Sequence, residues 1–292
     1  MNRYGHDFTE GQRRALDRYI SFLGGLRSVF DRISAVLERS RVSGHQAASL
    51  PRDSRLDNAY FNGRALSALG GDVSDTKALV DTHVAELRLF AGEALGLAEK
   101  TPRQTPLSEI DYRRFSLSRS ERWKLSSPKN VGDLVHELYL RLVDVRSAIR
   151  QLDFKFAGIN QDSFGVYSIF TRAMDHRSCY CHDRPTLAQA LFQQASTSPS
   201  WDLGYSSTDA SIRATEYKAD IAALFNIFSN LNSQMGLLAR ALYLSMDAAM
   251  LEVERASYAG NLKELNFGLG AAIETLEQCT TMLDDFHRWL CR

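Results

Sequence analysis

Residues 131–152, VGDLVHELYLRLVDVRSAIRQL, carry the clearest structural signal in the chain. Val131, Val135, Leu138, Leu142, Val145, Ile149 and Leu152 follow one another at intervals of 4-3-4-3-4-3. That alternation lines all seven along one side of an α-helix, whereas a half-buried strand would place an apolar residue at every second position. The segment reads as a helix with an a/d stripe made to face other helices.

The same period recurs on both sides of it. Between Thr9 and Arg39, Leu16, Leu23, Phe30 and Leu37 are seven apart, with Tyr19, Leu26 and Ile33 three after the first three. Phe22, Val29 and Val36 widen that stripe, Thr9 and Gln12 have capping-box spacing, and Gly24-Gly25 marks a candidate kink. From Asp209 to Tyr258 the seam is Tyr217, Ile221, Leu224, Phe228, Leu231, Met235, Leu238 and Leu242. About 50 helical residues would span about 75 Å, unless Gly236 or the polar run 230–233 breaks the helix. At the C-terminus Leu262, Leu269, Leu276, Leu283 and Leu290 share one heptad position, and Leu265, Ala272, Cys279 and Phe286 another. A stripe of this kind is either core or a coiled-coil surface for self-association.

Weaker helices are expected at 54–69, ending at Gly70-Gly71, and at 74–100, with Val80, Val84, Leu87 and Leu95 on one face. Another is expected near 186–196, where Thr186 and Gln189 form a capping box after Pro185. No segment alternates as a strand beside hairpin residues. The expected fold is all-α: an up-and-down bundle of long heptad-patterned helices joined by irregular loops at 40–54, 101–130 and 153–208. A single elongated domain over 1–292 is expected, with natural subdivisions at 1–155, 156–208 and 209–292.

Composition narrows the function. Apolar residues make up 44% of 292, enough for a sizeable core without disulfides or a structural metal. The formal net charge is +0, so the molecule as a whole is not a polycation made for nucleic acid. Four cysteines, two of them bunched at Cys179 and Cys181, do not make a secreted disulfide framework. The N-terminus has no apolar leader segment and no stretch is long and apolar enough to cross a bilayer, so a cytoplasmic location is expected. Export by a specialised secretion system would leave no such mark.

The densest chemical cluster is His176-Arg177-Ser178-Cys179-Tyr180-Cys181-His182-Asp183. Thiolate and imidazole are the ligands that zinc prefers, which makes His176, Cys179, Cys181 and His182 candidate ligands. Their C-x-C-H spacing is not the C-x₂-C of zinc knuckles, and no second ligand pair stands out, so the expectation is no cofactor, with zinc as the exception to test. Arg177-x₄-His182 resembles the Arg-x₄₋₆-His element of the helical HEPN ribonucleases. The resemblance covers six residues and implies that Arg177 and His182 would be catalytic on an RNA phosphodiester. Asp133/His136 and Asp284/His287 each place a carboxylate and an imidazole one helical turn apart.

Residues 101–130 are locally basic, with seven Lys or Arg against three acidic residues and three interleaved aromatics, Tyr112, Phe115 and Trp123. Arg113, Arg114, Arg119, Arg122, Trp123 and Lys124 are the candidate residues for an anion or a partner. Walker, Gly-x-Gly-x-x-Gly, Gly-x-Ser-x-Gly and His-Glu-x-x-His motifs are all missing. The economical expectation is an interaction protein, whether scaffold, adaptor, effector or assembly subunit, that binds a protein partner or itself. A helical metal- or RNase-type enzyme around His176–His182 and a nucleic-acid binder using 103–129 are the alternatives.

Overall fold

The structure, a computed structural model, describes residues 8–41, 55–125, 127–175 and 210–291. It is all-α, with no strand among the described residues. Among the described residues five long helices follow in order: α1 (Glu10–Arg41), α2 (Arg55–Ala98), α3 (Val131–Asp175), α4 (Ala210–Ser257) and α5 (Leu262–Leu290). No helix is long and apolar enough to cross a membrane, among the described residues.

The helix ends follow local chemistry. Thr9 Oγ1 accepts the Gln12 amide at 3.2 Å while Gln12 Oε1 accepts the Thr9 amide at 2.8 Å, both halves of a capping box that starts α1. Asn261 Oδ1 accepts the Lys263 and Glu264 amides at 3.0 Å, so α5 begins four residues after α4 ends.

Two helices run further than their sequence suggests, and a third is unbroken where a break was open. A break at Gly70-Gly71 was expected, yet α2 continues through both glycines. Each costs about 1 kcal/mol against alanine in a helix interior. Burial of Leu69, Val73, Thr76 and Val80 around them offsets that cost. On the same helix Ala94 takes the buried position and Leu95, expected on the inner face, points to solvent. α3 does not stop near Leu152; Phe156, Ile159, Val166 and Phe170 continue its buried face. In α4 neither Gly236 nor the polar run 230–233 interrupts the helix. The helix expected near 186–196 lies outside the described residues.

The described chain forms two compact units. One holds residues 69–155 and 234–291. Within it, α5 lies close on α4: a Cβ on Gly268 would come within 3.0 Å of Ala256 Cβ and 3.3 Å of the Glu252 carbonyl. A side chain there would have to push its neighbours aside by a few tenths of an ångström. The Cys279 thiol of α5 reaches the Leu242 carbonyl of α4 at 3.9 Å. Ion pairs tie neighbouring helices: Lys155 to Asp72 and Arg141 to Glu86 join α3 to α2, Arg88 to Glu277 and Lys77 to Asp284 join α2 to α5, and Arg146 to Asp247 joins α3 to α4. The seven residues Val131 to Leu152 that define the α3 stripe are all buried. So are Leu262, Leu265, Leu269, Ala272, Leu276, Cys279, Leu283 and Phe286. These eight positions of the C-terminal stripe are therefore core, and Leu290 is half-buried.

The other unit holds the described residues among 8–68, 156–175 and 210–233. Its centre is aromatic. Tyr19 stacks on Phe228 at 3.9 Å and meets Phe225 edge-on at 5.2 Å, while Phe22 meets Phe170 edge-on at 5.4 Å. Such pairs add about 0.5–1.5 kcal/mol each beyond their buried area. Burial also pushes the Tyr217 hydroxyl up to a pKa of about 12. Lys218 pairs with Asp175 between α4 and α3.

Leu138, on the buried stripe of α3, reports on the core directly. Leu138→Ala should cost about 2–5 kcal/mol in urea unfolding. A loss below about 0.5 kcal/mol would place this face outside the core.

Candidate functional site

Residues 99–130 join α2 to α3 with three short 3₁₀ turns, Leu107–Glu109, Tyr112–Arg114 and Ser116–Arg119. Apolar anchors fasten this connector. Leu107, Ile110, Phe115 and Leu117 are buried, and Phe115 stacks on Phe90 of α2 at 4.6 Å. Polar clamps hold the backbone between the anchors. Asp111 Oδ1 accepts the Arg113 amide at 3.0 Å, and the Glu93 carboxylate of α2 accepts the Ser116 amide at 3.0 Å.

The strongest clamp is at residues 120–125. Glu137 of α3 has no exposed surface. Its carboxylate accepts the Lys124 amide at 3.1 Å, the Leu125 amide at 3.2 Å and Arg141 Nε at 3.1 Å. Arg141 in turn donates to Glu86 at 2.6 Å, to Ser120 Oγ at 2.8 Å and to the Arg122 carbonyl at 3.4 Å. His83 Nδ1 closes the chain of contacts at 2.9 Å from Glu86. The hydrogen bond from His83, with the Arg141 charge behind it, holds the Glu86 carboxyl below its ordinary range against the opposing effect of burial. Both carboxylates and the guanidinium are hydrogen-bonded, as a buried network requires.

Anchored this way, the connector turns its arginines outward. Arg113, Arg114, Arg119 and Arg122 are exposed. The Arg113 guanidinium lies 5.8 Å from the centre of the Tyr112 ring. Trp123 is half-buried. Lys124 is committed within the fold: its ammonium group donates to the Leu140 carbonyl at 3.2 Å and pairs with Asp144.

The other sequence candidates fall elsewhere. His176, Arg177, Cys179, Cys181 and His182 lie outside the described residues. Asp133 accepts the Lys129 amide at 2.6 Å at the start of α3, and His136 stacks on Tyr139. Asp284 binds Arg288 at 2.9 Å, while His287 Nε2 sits 3.4 Å from Cys291 Sγ. Among the described residues, no three His, Cys, Asp or Glu side chains converge as a metal site would require. Burial pushes the Cys279 thiol up to about 12, which leaves almost no thiolate at neutral pH. In the second unit a groove of 660 Å³ is lined by Ile20, Gly24, Gly63, Arg64, Ala65, Ser67 and Ala68, a lining with one charged group and no acid, imidazole or thiol.

Sequence reading missed His83, Glu86, Glu137 and Arg141. Only the Glu137–Arg141 spacing of four and the His83–Glu86 spacing of three were visible beforehand, and both are common on solvated helix faces.

Two changes test the clamp. Arg141→Met strands a buried carboxylate and should cost about 3–5 kcal/mol in denaturant unfolding. A cost within about 0.5 kcal/mol would mean that water reaches Glu137. Glu86, with its folded pKa held below the ordinary 4.5, contributes stability that is complete above that value and lost as pH falls through the folded value. Glu86→Gln should therefore flatten the acid limb of the stability profile between about pH 5 and pH 3. An unchanged limb would exclude the pairing. The chain matches no protein-family profile, no curated protein and no solved structure.

Proposed function

We propose that this chain is an interaction protein whose helices hold a preformed cationic connector for an acidic protein surface. The observation that carries this reading is the outward set Arg113, Arg114, Arg119 and Arg122 on a backbone clamped from beneath. Arg114, Arg119 and Arg122 have no carboxylate at ion-pair distance among the described residues, while Arg88, Arg141 and Arg146 are all paired. Arginine suits such a role because its planar fork grips carboxylates bidentately and gives up less hydration than an ammonium group. A clamped backbone also lowers the ordering cost of binding.

The aromatic side chains favour a protein over a nucleic acid. Single-stranded nucleic acid is gripped by stacking bases on exposed rings. Here Phe115 is buried against Phe90, and Tyr112 and Trp123 are half-buried, so the rings pack largely on the fold while the four arginines are exposed.

The test compares the natural chain with the variant Arg113→Glu/Arg114→Glu/Arg119→Glu/Arg122→Glu, each purified from its own host. Hot-spot arginines are worth about 2 kcal/mol or more. The variant should lose the co-purifying protein with helicity and Tm unchanged, and nuclease should leave the natural complex intact. Equal retention by the variant, or no co-purifying protein with the natural chain, would reject the reading. Loss on nuclease treatment would transfer the site to nucleic acid.

A further inference from the structure

Helix α4 is apolar on two sides. Inward it buries Met235, Leu238, Leu242, Met246, Ala249 and Val253. Outward it presents Leu237 (58% exposed), Leu244 (58%) and Leu251 (45%), and Tyr258 (81%) follows in the turn just past its end. These four are spaced seven apart, the repeat that keeps a stripe turned toward a partner helix along its whole length. Ala241 and Ala248 fall between them and leave room for a backbone to approach to about 8 Å. Isolated exposed leucines are ordinary, but a row of them in register along about 21 Å of helix is not.

Charge identifies the occupant. In the middle of the strip, Asp247 is neutralised by Arg146 at 2.8 Å, and near its end Glu252 is neutralised by Arg255 at 2.8 Å. Arg240 near one end and Glu254 near the other are exposed and have no ion-pair partner among the described residues. The strip therefore carries opposite free charges on either side of a neutral apolar centre. Such a surface complements itself when inverted.

We propose that α4 pairs antiparallel with α4 of a second copy of this chain about a two-fold axis near residues 247–248. In that register Leu244 meets the partner's Leu251, and Arg240 lies beside the partner's Glu254. The parallel register sets Arg240 against the partner's Arg240 and is disfavoured. Identical patches related by a two-fold axis close into a dimer and do not propagate. One helix pair of two heptads buries less than about 1,200 Å², so the dimer is weak, with a Kd on the order of micromolar. The proposal uses no residue of the connector and is tested on the purified chain alone, so its failure leaves the connector reading untouched, and the reverse holds.

Sedimentation equilibrium of the full chain from about 1 to 200 μM should show the mass rising from 32.8 kDa toward twice that value. Leu244→Asp/Leu251→Asp should remain a monomer with an unchanged far-UV spectrum. Arg240→Glu or Glu254→Arg alone should weaken the dimer about tenfold, and the two together should restore it to within about threefold. A monomer at every concentration overturns the proposal. So does a dimer indifferent to Leu244→Asp/Leu251→Asp, or a double charge swap that fails to restore association.

Discussion

A carboxylate taken out of water survives as an anion only when its oxygens are fully engaged, and the connector between α2 and α3 is arranged around one. Glu137 has no exposed surface and is met by two backbone amides and a guanidinium. Desolvating an ion costs several kcal/mol, so each donor is required and none is spare. The requirement fixes the course of residues 120–125, because only one path brings the Lys124 and Leu125 amides to the acid. Arg141 extends the constraint by reaching Glu86 on α2 and two more atoms of the connector. One buried pair thus sets the spacing of two helices and the route of the loop over them.

The same economy explains which side chains face outward. A connector of this length could have been an unstructured tether, but four apolar anchors and the clamp hold it to the helices. With anchors and acceptors turned inward, the positions between them are left to solvent, and arginine occupies four of those positions. The charge is therefore displayed from a fixed backbone, in contrast to a tail whose charges are spread by chain entropy.

Much of the fold was legible in the sequence because burial of a stripe is a local, periodic property. The seven positions from Val131 to Leu152 are all buried, as are the eight from Leu262 to Phe286. What failed was the reading of interruptions. Gly70-Gly71 looks like a stop because glycine disfavours helix, but a local penalty of that size yields to packing that the sequence does not display. Leu95 and Ala94 exchange expected roles because residue size says little about which neighbouring position faces the core. The basic segment was visible as composition, yet its clamp was not. Arg141 and Glu86 are 55 residues apart, and only the folded chain makes them neighbours.

Lysine is scarce here, and most of it is occupied. Of seven lysines, Lys77, Lys124, Lys155 and Lys218 each hold an aspartate. Acetylation of Lys155 would erase the charge that ties α3 to Asp72 of α2, so amine-directed modification acts on this protein first through its frame. Arg113, Arg114, Arg119 and Arg122 have no amine to acylate and stay protonated at any physiological pH. Their display of positive charge is one that acetylating chemistry in the cell does not reach.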